Sequence, residues 1–162
     1  MPQQDMEDNT VYSTRGEQPF VVGWGATVPY EADTDNNCRD TQNRGTSQVL
    51  QELVIPLRTH DICRRSFALN HYQCSIITDY KPEIAFCAGY TEGNLDACKG
   101  DSGGPVMRKL NVADGTTRWV QIGIVSWGEG CAQDNQYGVY TRLSTYKDWI
   151  KDHIGEMAFA IR

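Results

Sequence analysis

The residues with the clearest chemical capacity are Gly100-Asp101-Ser102-Gly103-Gly104-Pro105. A serine hydroxyl is a poor nucleophile. It attacks a carbonyl usefully only with a base beside it and with hydrogen-bond donors aimed at the oxyanion that forms. Glycines flanking Ser102 let the backbone turn tightly and leave the N–H groups of Gly100 and Ser102 free to point inward, which suits the second requirement. Taken alone, the string also reads as a glycine-rich turn carrying a solvated serine. A base is harder to find. His60 falls on a predicted helix, His71 in a polar loop and His153 on a predicted terminal helix, and none is placed by the sequence beside Ser102.

The elements that must position Ser102 are mostly short strands. Leu53, Ile55 and Leu57, with Val49 before them, alternate with Glu52, Val54 and Pro56, and Val120, Ile122 and Ile124 alternate with Gln121 and Gly123. Asp114-Gly115, between Met107 and Trp119, predicts a hairpin turn, because glycine accepts the positive φ such a turn needs. Thr59 is the expected N-cap of a helix over His60–Phe67. Ser144 or Thr145 is the expected cap of a second helix, with Asp148 completing a capping box after Thr145. In that helix Tyr146, Trp149, Ile150 and Ile154 share one face, which predicts packing on a core. Tyr30 to Gly45 and Leu69 to Tyr80 read as polar surface loops.

At 162 residues with 40% hydrophobic content, one domain is expected. The formal charge of -6 and the absence of a Lys/Arg cluster argue against nucleic acid or an anionic membrane as partner. No apolar run approaches the roughly 20 residues that span a bilayer. Met1 to Gln18 is polar and acidic and lacks the apolar stretch of a secretory signal. The six cysteines nevertheless point to an oxidising, extracellular setting. A metal site competes poorly, since there is no CxxC and the three histidines show no paired ligand spacing.

Four longer segments decide between these readings. Phe86-Cys87-Ala88-Gly89-Tyr90, Asp96-Ala97-Cys98-Lys99-Gly100-Asp101-Ser102-Gly103-Gly104-Pro105, Ser126-Trp127-Gly128-Glu129-Gly130-Cys131 and Tyr137-Gly138-Val139-Tyr140-Thr141 together resemble the trypsin and chymotrypsin family. Val22-Gly23-Trp24-Gly25 and Leu143 to Ile150 resemble it too, in the same order and spacing. The resemblance implies an all-β fold class: the C-terminal six-stranded antiparallel β-barrel of the chymotrypsin-like fold plus a C-terminal α-helix. It implies a linker over residues 1–18, the second barrel and terminal helix over 19–155, and a tail over 156–162.

By the same resemblance Ser102 is the acyl-forming nucleophile, and the N–H groups of Gly100 and Ser102 form the oxyanion hole. Asp96 lies at the base of the primary specificity pocket, where a carboxylate in a slot of low dielectric selects Arg or Lys. Ala97 offers no hydroxyl to solvate an ammonium, so Arg is preferred. Gly128 and Gly138 keep the walls open, Ser126 to Gly128 pair with a bound peptide, and Trp127 floors a neighbouring subsite, core packing being the plainer role for Trp127. Asp101 takes the new N-terminal amine released by activation cleavage. Tyr137 is the coagulation-type residue permissive for sodium at the carbonyls of Gln133 and Gln136, the alternative being that it only packs. No other cofactor is implied. Cys63 pairs with Cys87 and Cys98 with Cys131. A third bridge of the family is replaced by Pro19 and Arg108. Cys38 and Cys74 form an extra pair, or one is free or reaches another chain.

The family's catalytic His and Asp come from a first barrel that this sequence does not match, which predicts a truncated gene product, an alternative product or a fragment of a longer secreted protease, inactive alone. Expected partners are that barrel, substrates with Arg or Lys before the scissile bond, and protein inhibitors. The alternative is a non-catalytic protease-like module that binds proteins through the same cleft.

Overall fold

The computed structural model describes residues 18–27, 45–69, 80–111 and 115–155. Six strands, β1 (Phe20–Gly23), β2 (Gln51–Val54), β3 (Ala85–Ala88), β4 (Pro105–Asn111), β5 (Thr117–Trp127) and β6 (Gly138–Arg142), form one antiparallel sheet in the order β2-β1-β4-β5-β6-β3. The sheet curls until its edges meet. Leu57, just past β2, bridges Ala88, the Arg58 N–H donates to the Cys87 carbonyl at 3.0 Å, and the Gly89 N–H donates to Pro56 at 3.0 Å. Closure of this kind leaves no edge strand unpaired. The expected six-stranded barrel is what the chain forms.

The barrel is filled by Val21, Ile55, Leu57, Phe86, Ala88, Val106, Val125 and Tyr140, all buried. The expected inward set on β2 therefore holds for Ile55 and Leu57, with Leu53 packed against them, while Val49 is 66% exposed. On β5 the expected alternation slips. Val120 and Ile122 are half-buried between exposed neighbours, as expected, and Ile122 packs on the core, but beyond Ile122 full burial falls on Gly123 and Val125 rather than on Ile124. Val106 and Met107 of β4 face Gly123 and Gln121, so Ile122 is an extra residue in the ladder. A bulge of this type reverses side-chain parity along the strand. It also brings Gly123 beneath the Phe86 ring, where an added Cβ would lie 2.8 Å from ring carbons. The β4–β5 hairpin forms as expected, with Gly115 at φ +81°; Asp114 lies outside the described residues.

Helix α1 (His60–Leu69) starts where Thr59 predicts: the Thr59 Oγ1 accepts from the Ile62 N–H at 3.4 Å. It is fixed to β3 by the Cys63–Cys87 disulfide, and a second cluster of Cys63, Cys87, Tyr137 and Val139 lies beneath it. Pro19 and Arg108, in place of a third bridge, are both buried. The terminal helix corrects the sequence reading in two respects. A 3-10 turn over Leu143–Tyr146 precedes α2 (Lys147–Ile154), so Ser144 and Thr145 do not cap it, and its N-cap, Tyr146, makes no side-chain cap bond. The Thr145 hydroxyl donates instead to the Glu83 carbonyl at 2.7 Å, a tertiary acceptor that outcompetes the capping box. The expected apolar face is covered only in part: Tyr146 and Ile150 are half-buried, whereas Trp149 and Ile154 are 61% and 63% exposed.

Candidate active site

Strand polarity puts the connections after β1, β3 and β5 at one rim of the barrel. The β3–β4 connection carries Ser102. Its conformation is set by two glycines, Gly100 at φ +100° and Gly103 at φ +82°. Three N–H groups along it are used internally: Asp101 to the Cys98 carbonyl, Gly103 to Val125 and Gly104 to Asp101, each at 2.9 Å. The two that alternate with them, on Gly100 and Ser102, have no acceptor among the described residues. Ser102 itself is exposed. Gly100 is exposed as well, so both N–H groups face solvent. Two free donors beside an exposed serine are the arrangement an oxyanion needs.

The Asp101 carboxylate anchors this turn. Its Oδ1 accepts from the Gly25 N–H at 2.8 Å and its Oδ2 from the Cys98 N–H at 2.9 Å. A Cβ on Gly23 or Gly25 would collide with that carboxylate, so the Gly23-Trp24-Gly25 segment has no alternative residues at its two ends.

Two cavities lie back to back across the Cys98–Cys131 disulfide. One, about 310 Å³, is lined by Ser102 together with Ala97, Ser126, Trp127, Gly128 and Gly138. Every predicted pocket residue except Asp96 and Gly100 is thus in one place. The other, about 230 Å³, is lined by Asp96 and Asp101 with Gly23, Gly25, Ala26 and Ala132. Asp96 stands between the two. A Cβ built on Gly138, in the wall of the first cavity, would lie 3.1 Å from the Asp96 Oδ1 and 2.7 Å from the Tyr140 hydroxyl. Both of those oxygens are buried with no hydrogen-bond partner among the described residues.

The electrostatics follow from that shortage. The Asp96 Oδ2 accepts a long bond from the Ala132 N–H, 3.3 Å. Burial pushes the Asp96 carboxyl up from 3.8 to about 7; backbone N–H groups of Ala132 and Ala97 oppose the rise, and the Asp101 charge adds to it. Burial also holds the Tyr140 phenol well above its usual value, with the Asp96 and Asp101 charges contributing. Asp96 is therefore a costly buried acid. A guanidinium would supply both the missing charge and the missing donors. Tyr140 was not singled out from the sequence, although it sits two residues after Gly138 in a strand and so shares its face.

The β5–β6 connection forms the remaining wall. Tyr137 is buried, with the Arg58 guanidinium 5.3 Å over its ring and its hydroxyl 3.3 Å from Thr91 Oγ1. The Gln133 carbonyl accepts from the Gln136 N–H at 3.2 Å. Trp127 lines the cavity and also packs on Phe67, ring centroids 5.2 Å apart. The packing role expected of it is the one these contacts fill.

The histidines are engaged elsewhere. His60 Nδ1 is 2.8 Å from the Tyr80 hydroxyl, and burial, helped by the charge of Arg64, holds it below its usual value. His153 Nδ1 bonds the Trp149 carbonyl at 2.7 Å within its own helix. His71 lies outside the described residues, as do Cys38 and Cys74.

The geometry agrees with what known proteins reveal. Residues 4–150 match the family described as Trypsin. The chain is 37% identical over 138 residues to transmembrane protease serine 5 of Homo sapiens, which covers 85% of this chain and 25% of that protein. It is 37% identical over 132 residues to transmembrane protease serine 11G of Mus musculus, covering 82% of this chain and 26% of the relative. The chain spans about a quarter of the length of these relatives. No helix among the described residues is long and apolar enough to cross a membrane.

Proposed function

Since the chain belongs to the trypsin family of serine proteases, we propose that it supplies the nucleophile, oxyanion hole and arginine-selecting pocket of an extracellular endopeptidase. The observation that carries this reading is the Asp96 carboxylate oxygen that has no hydrogen-bond partner among the described residues and lies directly behind Gly138, a lining residue of the cavity that also holds Ser102. A substrate arginine entering that cavity pairs with Asp96, which presents the following carbonyl to Ser102. The Ser102 oxygen bonds to the carbonyl carbon as a base takes its proton, and the negative oxygen is held by the Gly100 and Ser102 N–H groups. The amine leaves with that proton. Water then repeats the attack on the ester and regenerates the hydroxyl. Ala97 in place of a hydroxyl residue favours Arg over Lys. The two disulfides suit an oxidising compartment.

Neither His60, whose ring packs on Tyr80, nor His153, held within its own helix, lines the cavity that holds Ser102. We therefore expect the first barrel of the family fold to provide it in trans or from a longer chain, and this chain to be inactive by itself. Sodium at the carbonyls of Gln133 and Gln136 belongs to the same proposal. An all-carbonyl donor set suits a hard cation, and a carbonyl that accepts one N–H retains a second lone pair.

A fluorophosphonate that labels activated serines tests the reading. The chain alone should show no appreciable adduct on Ser102 by mass spectrometry, and joining it to a first barrel carrying the His and Asp should produce one. Brisk labelling of the lone chain would refute the need for an outside base. Failure to label with the barrel present would favour a module that only binds.

A further inference from the structure

Between Gly130 and Asn135 the wall of the pocket adopts left-handed backbone three times, at Gly130 (φ 70°), Ala132 (φ 57°) and Asn135 (φ 56°). Two of these residues carry a Cβ, and such a conformation persists only where the surroundings hold it. Two restraints come from the neighbouring connection, itself a loop: the Asn94 N–H donates to the Ala132 carbonyl and the Asn135 N–H to the Thr91 carbonyl, both at 2.8 Å. The third comes from a rigid element. The Ser66 hydroxyl, on α1, donates a short hydrogen bond to the Asn135 carbonyl across 69 residues of sequence.

Ser66 is 6% exposed, at a helix position where serine has no intrinsic advantage over alanine. Helix α1 is in turn pinned to the barrel by Cys63–Cys87. The turn that Ser66 holds is the one whose Ala132 N–H reaches the Asp96 carboxylate. It is also pressed close: a Cβ on Gly93 would lie 2.5 Å from the Ala132 carbonyl oxygen.

We infer that Ser66 is a positioning residue for the arginine pocket: carried on a disulfide-anchored helix, its hydroxyl holds the Asn135 carbonyl and so the left-handed turn that supports Asp96. This rests on the trypsin-like reading above and extends it to a residue that touches no substrate. The test is the affinity of the full chain for p-aminobenzamidine, a fluorescent aryl amidine that mimics the arginine head group. Ser66→Ala should weaken binding about tenfold, the effect of a buried hydrogen bond whose acceptor is left unpaired. Ser66→Thr and Ser66→Val have the same volume, so comparing them isolates the hydroxyl if Ser66→Ala fails to fold; Thr should bind about tenfold tighter than Val. A loosened turn also admits water to Asp96, so the pH at which binding is half lost should move lower in the Ala and Val variants, a change that lowered stability alone does not cause. Equal affinities and equal pH midpoints across the Ser, Ala, Thr and Val chains would overturn the role of Ser66 while leaving the pocket intact. Absence of binding by the parent chain would overturn the pocket reading, and this inference with it.

Discussion

Replacing Asp96 by Asn separates the cost of the pocket acid from its use. The Asp96 Oδ1 has no hydrogen-bond partner among the described residues, and burial pushes the carboxyl from 3.8 to about 7. An acid whose folded pKa is raised favours the fold while protonated. Its contribution is complete below pH 3.8, declines as the pH climbs, and is gone above about 7. A rise of that size corresponds to about 4 kcal/mol, an upper bound because water can reach a strained pocket as it ionises. Asn does not titrate, and a buried amide costs less than a buried charge. In urea denaturation at several pH values between 5 and 8, the parent chain should therefore lose stability relative to Asp96→Asn as the pH rises. The variant should be the more stable by a few kcal/mol at pH 8. Taking the difference between the two chains cancels every other titrating group. p-Aminobenzamidine should bind the parent more tightly above pH 7 and fail to bind the variant. Parallel stability curves, or a variant less stable than the parent at pH 8, would refute the claim that Asp96 is an uncompensated buried acid.

Two further outcomes are expected. Gly138→Ala places a methyl 2.7 Å from the Tyr140 hydroxyl and 3.1 Å from the Asp96 Oδ1; it should cost about 1–3 kcal/mol in urea and weaken p-aminobenzamidine binding by about tenfold or more, and an unchanged affinity would remove Gly138 from the pocket wall. Exchanging sodium for choline at constant ionic strength should weaken the same binding a few-fold, whereas equal affinity in both salts would exclude sodium from the wall.

What could be read from the sequence was what depends on local chemistry. Glycines 100 and 103 announced a turn because only backbone without a Cβ adopts it readily. The strand β2 and the buried Ile55 and Leu57 just past it announced themselves by alternation, and the pairing of Cys63 with Cys87 and Cys98 with Cys131 came with the family resemblance. What was hidden depends on contacts across the chain. The bulge opposite Val106 and Met107 inverts β5, and no local pattern marks it. Thr145 gave up a capping role for the Glu83 carbonyl, 62 residues away. Ser66 looked like an ordinary helix residue until the fold set it against Asn135.

In the closed order β2-β1-β4-β5-β6-β3, with Leu57 bridging Ala88, strands β3 and β4 stand on opposite walls. The segment between them, which carries Asp96 through Ser102, therefore runs across the barrel mouth like a strap between facing posts. Of the two posts, β4 can pair locally with its hairpin neighbour β5, whereas β3 finds its partner in β6, beyond both of them, and pairings of high sequence separation are the slow part of folding. The strap is anchored at both ends only once that distant pairing has formed, so an unfolded chain carries the sequence of the Ser102 segment without its geometry.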